Sequence, residues 1–159
     1  MSCSLRLLKP SHFLATAGGV GLFPVAPGTV GSLVAVPLYL ASCDLPWTAQ
    51  LAFVAVSYLA GVWAAGQTEK ALGRTDPSLV VWDEVVGFWV ALLLTPADWR
   101  FQVAAFAAFR LLDVVKPWPI SVVQRRVKGG QGIMLDDLLA GLAAGLLIYF
   151  IKQYITSIS

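Results

Sequence analysis

The chain alternates between long apolar runs and short polar or proline-rich breaks. Five apolar segments can be read, at residues 29–42, 48–65, 79–94, 101–115 and 134–151. The first follows a Pro/Gly-rich turn at residues 24–28. Asp44-Leu45-Pro46 divides the first segment from the second, and a polar stretch at 66–77, containing Gly73 and Pro77, divides the second from the third. Pro96-Ala97-Asp98 separates the third from the fourth. Lys116-Pro117-Trp118-Pro119 ends the fourth, because each proline lacks an N–H and biases its predecessor away from helix. The stretch 124–132 is basic and then glycine-rich. Several segments are shorter than the ~20 residues that cross a bilayer core. The first can recruit residues 12–22 as a broken or re-entrant piece, which is tolerated at membrane depth only under a cover of protein or water. The short run at 13–17, interrupted by Gly18-Gly19, is a poor match to a signal peptide.

Composition makes this pattern a membrane pattern. Hydrophobic residues are 58% of the 159-residue chain and charged residues only 13%, against about 25% charged in soluble domains. The mean hydropathy is +0.76. The expected fold is therefore all-α: a single domain over residues 1–159, a multi-helical integral membrane protein with about five apolar helical segments. A net charge of +2, with no basic stretch interleaved with aromatics, argues against nucleic acid as a partner. Cys3 and Cys43 lack metal-type spacing, and neither opens a Cys-x5-Arg phosphatase loop, so both read as free thiols. His12 is the only histidine, so no phosphatase site built on a pair of histidines is available. It either touches substrate or serves as an interfacial polar residue.

The charges then orient the chain. With a cytoplasmic N-terminus and every segment crossing, Arg6, Lys9, Lys70, Arg74, Arg110, Lys116, Arg125, Arg126 and Lys128 fall inside, and only Arg100 and Lys152 outside. That is a strong positive-inside bias. Trp47 and Trp99 reach the outer boundary and Trp82 and Trp118 the inner one, as an aromatic belt requires. Segments three and five begin inside and segment four ends there. Asp83, Glu84, Asp113, Asp136 and Asp137 therefore converge at the cytoplasmic membrane face, which the Gly28-Thr29 turn and the Lys70/Arg74 loop also reach.

Five of the nine carboxylates thus lie in three short clusters at the edges of apolar segments. Acids beside hydrocarbon are costly and are usually functional or tightly paired. Carboxylates clustered without His or Cys suit a hard cation such as Mg²⁺. A plainer reading stands beside this one. Arg110 and Asp113, three apart on a helix, can form an ordinary ion pair, and Asp83-Glu84 and Asp136-Asp137, at expected helix starts, complement the helix dipole. The turn Pro27-Gly28-Thr29-Val30-Gly31-Ser32 is either a capped turn, with Thr29 as cap, or a cradle of open N–H groups for an anion. Gly129-Gly130-Gln131-Gly132 is similarly open to two readings. Gly61, Gly66, Gly87, Gly141 and Gly145 are expected to allow close helix packing.

Four motifs, taken in order, resemble the phosphatidylglycerophosphatase A family. They are Pro-Gly-Thr-Val-Gly-Ser-Leu (27 to 33), Val-Trp-Asp-Glu-Val-Val-Gly (81 to 87), Phe-Arg-Leu-Leu-Asp-Val-Val-Lys-Pro-Trp-Pro-Ile (109 to 120) and Gly-Ile-Met-Leu-Asp-Asp-Leu-Leu-Ala-Gly (132 to 141). Their order and spacing cover nearly the whole chain. The resemblance implies a multi-pass enzyme of the bacterial inner membrane that uses Mg²⁺ to remove the terminal phosphate of phosphatidylglycerophosphate, leaving phosphatidylglycerol in the lipid bilayer. The family's motif residues fall on Asp83, Glu84, Asp113, Lys116, Asp136 and Asp137, with Arg110 and Thr29 beside them. On that basis the expected metal ligands are Asp83, Glu84, Asp113, Asp136 and Asp137, not all of them direct. Arg110, Lys116 and Thr29 are expected to hold phosphate, and one unligated carboxylate to serve as general base. The oligomeric state is left open.

Two rivals belong to other classes. A transferase acting on a nucleotide-activated lipid would carry a signature resembling Asp-Gly-x2-Ala-Arg followed by Gly-x3-Asp-x3-Asp, which is absent. A cation-coupled transporter or structural membrane subunit would string its acids through the core, whereas these gather at one face.

Overall fold

The computed structural model describes residues 9–158, and every regular element among them is helical. Cys3 and Arg6 lie outside the described residues. A short helix α1 (Pro10–Ala15) and a 3-10 turn (Val20–Leu22) precede α2 (Pro27–Ser42), α3 (Trp47–Leu72), α4 (Trp82–Leu94), α5 (Trp99–Val115), α6 (Ile120–Arg126) and α7 (Gly130–Ile158). The sequence breakers explain most boundaries. Pro27 opens α2, and α3 starts directly after Pro46. Asp98 caps α5, its side chain accepting from the Arg100 N–H at 2.9 Å. Gly73, at φ +62°, closes α3 with its N–H on the Glu69 carbonyl, a left-handed stop that glycine adopts without strain.

All five apolar segments are helices, but among the described residues only α3 and α7 are long and apolar enough to cross a membrane, two where the sequence suggested five. The reason lies in α4. Its residues 85–92 are all buried, and α2, α3, α5 and α7 pack around it. A helix enclosed by other helices takes its length from the bundle and not from a bilayer. The segment limits also differ. The helix α3 runs through Gly66 to Leu72, although residues from 66 onward looked like a break. A Cβ at Gly66 would lie 3.5 Å from the Gly130 amide of α7, so this glycine marks a helix crossing. The helix α7 starts at Gly130, so Asp136 and Asp137 sit beyond its first turn. Thr29 is not a cap, because α2 begins at Pro27 with Ala26 before it.

The core is built on α4. Phe88 stacks on Phe109 at 5.7 Å and meets the edge of Phe106 at 5.2 Å, both from α5. Ala140, Ala144 and Ile148 of α7 close the other side. Where α4 and α7 cross, a Cβ on Gly87 would stand 2.6 Å from the Asp137 carbonyl, and one on Gly141 would collide with the Gly87 carbonyl. Only glycine at both places lets the two backbones touch, which is the packing mode that serves where lipid supplies no hydrophobic drive between helices. The polar groups inside are also used: Trp89 Nε1 donates to Ser42 Oγ at 3.3 Å and Trp82 Nε1 to the Ser57 carbonyl at 3.1 Å.

Candidate active site

The glycine crossing sets the site. Asp83 lies four residues before Gly87, and Asp137 four before Gly141. One helical turn from the point where α4 and α7 touch, the two carboxylates must therefore be neighbours. Glu84 joins them from the first turn of α4. The end of α5 brings Arg110, Asp113 and Lys116, and α5 stops there because Lys116 turns left-handed, at φ +46°, ahead of Pro117. The start of α2 supplies Gly28. These elements enclose a cavity of about 320 Å³ that Asp76 and Ser78 also line.

The five acids divide by partner. Ligand atoms of Asp83, Glu84 and Asp137 lie within 4.8 Å of one another. Asp83 Oδ1, Glu84 Oε2 and Asp137 Oδ2 are buried without a hydrogen-bond partner. Asp113 Oδ2 instead takes Arg110 Nη1 at 2.8 Å, and its Oδ1 lies 3.9 Å from Lys116 Nζ. Asp136 Oδ2 binds Lys116 Nζ at 2.5 Å, while its Oδ1 accepts the Asp137 N–H at 3.1 Å. Arg110 Nη1 also stands 3.8 Å from Glu84 Oε1. Burial alone would lower the Lys116 ammonium. Its hydrogen bond to Asp136 and the charges of Asp136, Asp137 and Asp113 outweigh that and hold it above the ordinary lysine range.

Three carboxylates, each with a buried and unfilled oxygen and with no His or Cys among them, fit a hard divalent cation. Two unit charges ~4.8 Å apart repel by roughly 3.5 kcal/mol at an effective dielectric of about 20, so an uncompensated trio is unfavourable. Mg²⁺ or a similar ion takes oxygen ligands of this kind. Arg110 and Lys116 are each committed to one carboxylate and reach toward a second, so their charge faces the same cavity.

Of the residues singled out in the sequence, Asp83, Glu84, Asp113, Asp137, Arg110 and Lys116 line this cavity together. Asp136 and Thr29 do not. Asp136 pairs with Lys116 and itself lines an adjoining cavity of about 280 Å³ with Arg125 and Lys128. His12 is buried in α1 and away from the cavity lining. The sequence reading missed Asp76 and Ser78. Asp76 lies in the stretch read only as a break and Ser78 directly after it, and nothing in their spacing marks them; Asp76 is held at φ +49° just before Pro77. Gly28 was noted only as part of a turn, yet a Cβ there would collide with Glu84 Oε1 and stand 3.2 Å from Arg110 Nη2.

A family model described as phosphatidylglycerophosphatase A matches residues 13–152. The chain belongs to the phosphatidylglycerophosphatase A family. Two relatives bear the same name. The one from Escherichia coli (strain K12) is 43% identical over 151 residues, covering 94% of this chain and 88% of the relative. The one from Haemophilus influenzae is 37% identical over 152 residues, covering 94% and 93%. A third, from Bacteroides thetaiotaomicron, is 43% identical over 143 residues, covering 85% and 89%, and carries the provisional name phosphatidylinositol-3-phosphatase. No solved structure matches the chain. Membership of the phosphatidylglycerophosphatase A family makes the chain an enzyme, a phosphatase.

Proposed function

We propose that this chain is a divalent-cation-dependent lipid phosphatase that hydrolyses the terminal phosphomonoester of phosphatidylglycerophosphate, as a single domain over residues 1–159 spanning the bacterial inner membrane with its site at the cytoplasmic face. The observation that carries the reading is the convergence of three carboxylates, each with a buried oxygen that has no hydrogen-bond partner, with Arg110 and Lys116 in one cavity at one end of the bundle. The names of the Escherichia coli and Haemophilus influenzae relatives supply the substrate. The membrane reading is supported by α3, which leaves Leu51, Phe53, Val56, Leu59 and Trp63 exposed along its length, where the core helix of a soluble protein would bury them.

Asp83, Glu84 and Asp137 would hold Mg²⁺. A bound divalent ion supplies charge neutralisation for the phosphate dianion and lowers the pKa of a water. The protein's own groups do the rest. Arg110 and Lys116 grip the phosphate oxygens and offset the charge that spreads over them in the transition state. Asp113 and Asp136 fix those two cations at 2.8 and 2.5 Å, so neither side chain must be ordered when substrate arrives. A carboxylate lining the cavity but not holding the ion takes the proton of the attacking water as its oxygen bonds to phosphorus. The phosphorus–oxygen bond to the glycerol breaks, and the leaving oxygen acquires a proton from solvent. Closely placed phosphate clamps act on any lipid-borne phosphomonoester, so headgroup choice falls to residues around the cavity mouth.

The test is phosphate release from phosphatidylglycerophosphate by the purified chain, with and without chelator. Activity is expected only with the divalent ion and is expected to vanish in Asp83→Asn. Turnover that survives thorough metal removal would refute the mechanism.

A further inference from the structure

We infer that the apolar groove between α2 and α5 seats one acyl chain of the lipid whose phosphate enters the carboxylate cavity, an inference that rests on the lipid phosphatase reading above. The helices α2 and α5 both pack against α4 without substantial contact with each other. The gap left between them is a groove of about 260 Å³, walled by Leu33 and Val36 of α2 and by Val103 and Phe106 of α5. Phe88 and Leu92 of α4 form its floor. The floor is buried, at 2% exposure for each residue, while Leu33 and Val103 on the rims are 51% and 58% exposed, so the groove opens sideways.

Its position identifies the occupant. Phe88 follows Glu84 by one turn of α4, and Phe106 precedes Arg110 by one turn of α5. On both helices the residue lining the carboxylate cavity gives way, one turn along, to one lining the groove. A molecule with its phosphate held by Arg110 and Lys116 and an apolar tail has one continuous track. From Arg110 to Trp99, which closes the far end, α5 rises about 16 Å. The second apolar pocket on α2, lined by Phe13, Val34, Leu38 and Trp82, takes no wall from α5, the helix that carries Arg110 and Lys116. Because a tail in the bilayer is already in an apolar medium, the groove adds little transfer energy. Its effect is to fix the height and rotation of the headgroup, so that the terminal phosphate meets the carboxylates in one geometry.

The test compares long-chain phosphatidylglycerophosphate in detergent micelles with its deacylated headgroup, using the full chain in Mg²⁺. Val36→Trp and Val103→Trp fill the groove from opposite walls, and Phe53→Trp places the same ring on the exposed face of α3. Each groove variant is expected to lose about ten-fold in kcat/KM on the long-chain lipid. Each should stay within about two-fold of the unaltered chain on the headgroup alone, and Phe53→Trp should change neither. Equal losses on both substrates, or no loss on either, would overturn the groove. An unaltered chain that hydrolyses neither substrate would overturn the phosphatase reading instead. A substrate carrying a mid-chain photoreactive diazirine gives a measurement that needs no variant. Adducts at Val36, Val103 or Phe106 are expected, and adducts confined to Phe13, Val34 or Leu38 would move the tail to the other pocket and end the proposal.

Discussion

Replacing Asp137 with Asn removes one charge from the carboxylate trio at nearly constant volume, and its consequences run in opposite directions with and without metal. The ligand oxygens lie within 4.8 Å, where each pair of charges repels by roughly 3.5 kcal/mol at an effective dielectric of about 20. The substitution would abolish two of the three repulsions, roughly 7 kcal/mol before screening by water. Water entering the cavity screens most of that, so a gain of about 1–2 kcal/mol is expected in chelator, a rise in Tm of about 2–8 °C. The unaltered chain, at a free Mg²⁺ concentration ~100 times its dissociation constant, should gain about 2.7 kcal/mol, or about 5–11 °C. The variant should lose most of that gain, and its activity should fall by roughly 100-fold or more. The assay is thermal unfolding of the detergent-solubilised protein in chelator and across a Mg²⁺ titration, read beside phosphate release. Matching melting temperatures in chelator together with an unchanged Mg²⁺ shift would refute the assignment of Asp137 to an ion.

The remaining predictions separate the roles of its neighbours. Asp136→Asn should keep the Mg²⁺-dependent Tm shift, because Asp136 is bound to Lys116; it should lower turnover by about 10-fold by loosening that ammonium, so a lost Mg²⁺ shift would place Asp136 among the ligands. Gly28→Ala drives a methyl into Glu84 Oε1 and should cut kcat/KM by about 10-fold or more with unchanged helical circular dichroism, whereas full activity would show that Glu84 has room to move. Cys43, which follows α2 at the end away from the carboxylates, should react with an impermeant thiol reagent added outside intact cells, and Cys3 should not. The opposite labelling would invert the proposed orientation.

Some of this protein could be read directly from residue order. Apolar runs between Pro46, Pro96 and Pro117 mark helices because a proline lacks an N–H and disfavours helix at the residue before it, although α2 carries Pro37 in its interior. The acids at Asp83-Glu84, Asp113 and Asp136-Asp137 stand out because carboxylates next to hydrocarbon need a reason. Helices that alternate in direction then bring them to one end of the bundle. Helix lengths were less legible: the break expected at Gly66 is a crossing point inside α3, and the 13-residue α4 is short because protein encloses it.

Residue order was enough to establish that the chain is helical, that its acids gather at one end and that it carries the motifs of a phosphatase family, since periodicity, proline and charge act locally. Which acids share a nest was settled by packing. Asp136 and Asp137 are adjacent in the chain, yet about 100° apart around the helix. That rotation sends Asp136 to Lys116 and Asp137 to Asp83 and Glu84. The contact of Gly87 with Gly141 fixes how the two helices face each other, and no local rule contains that information.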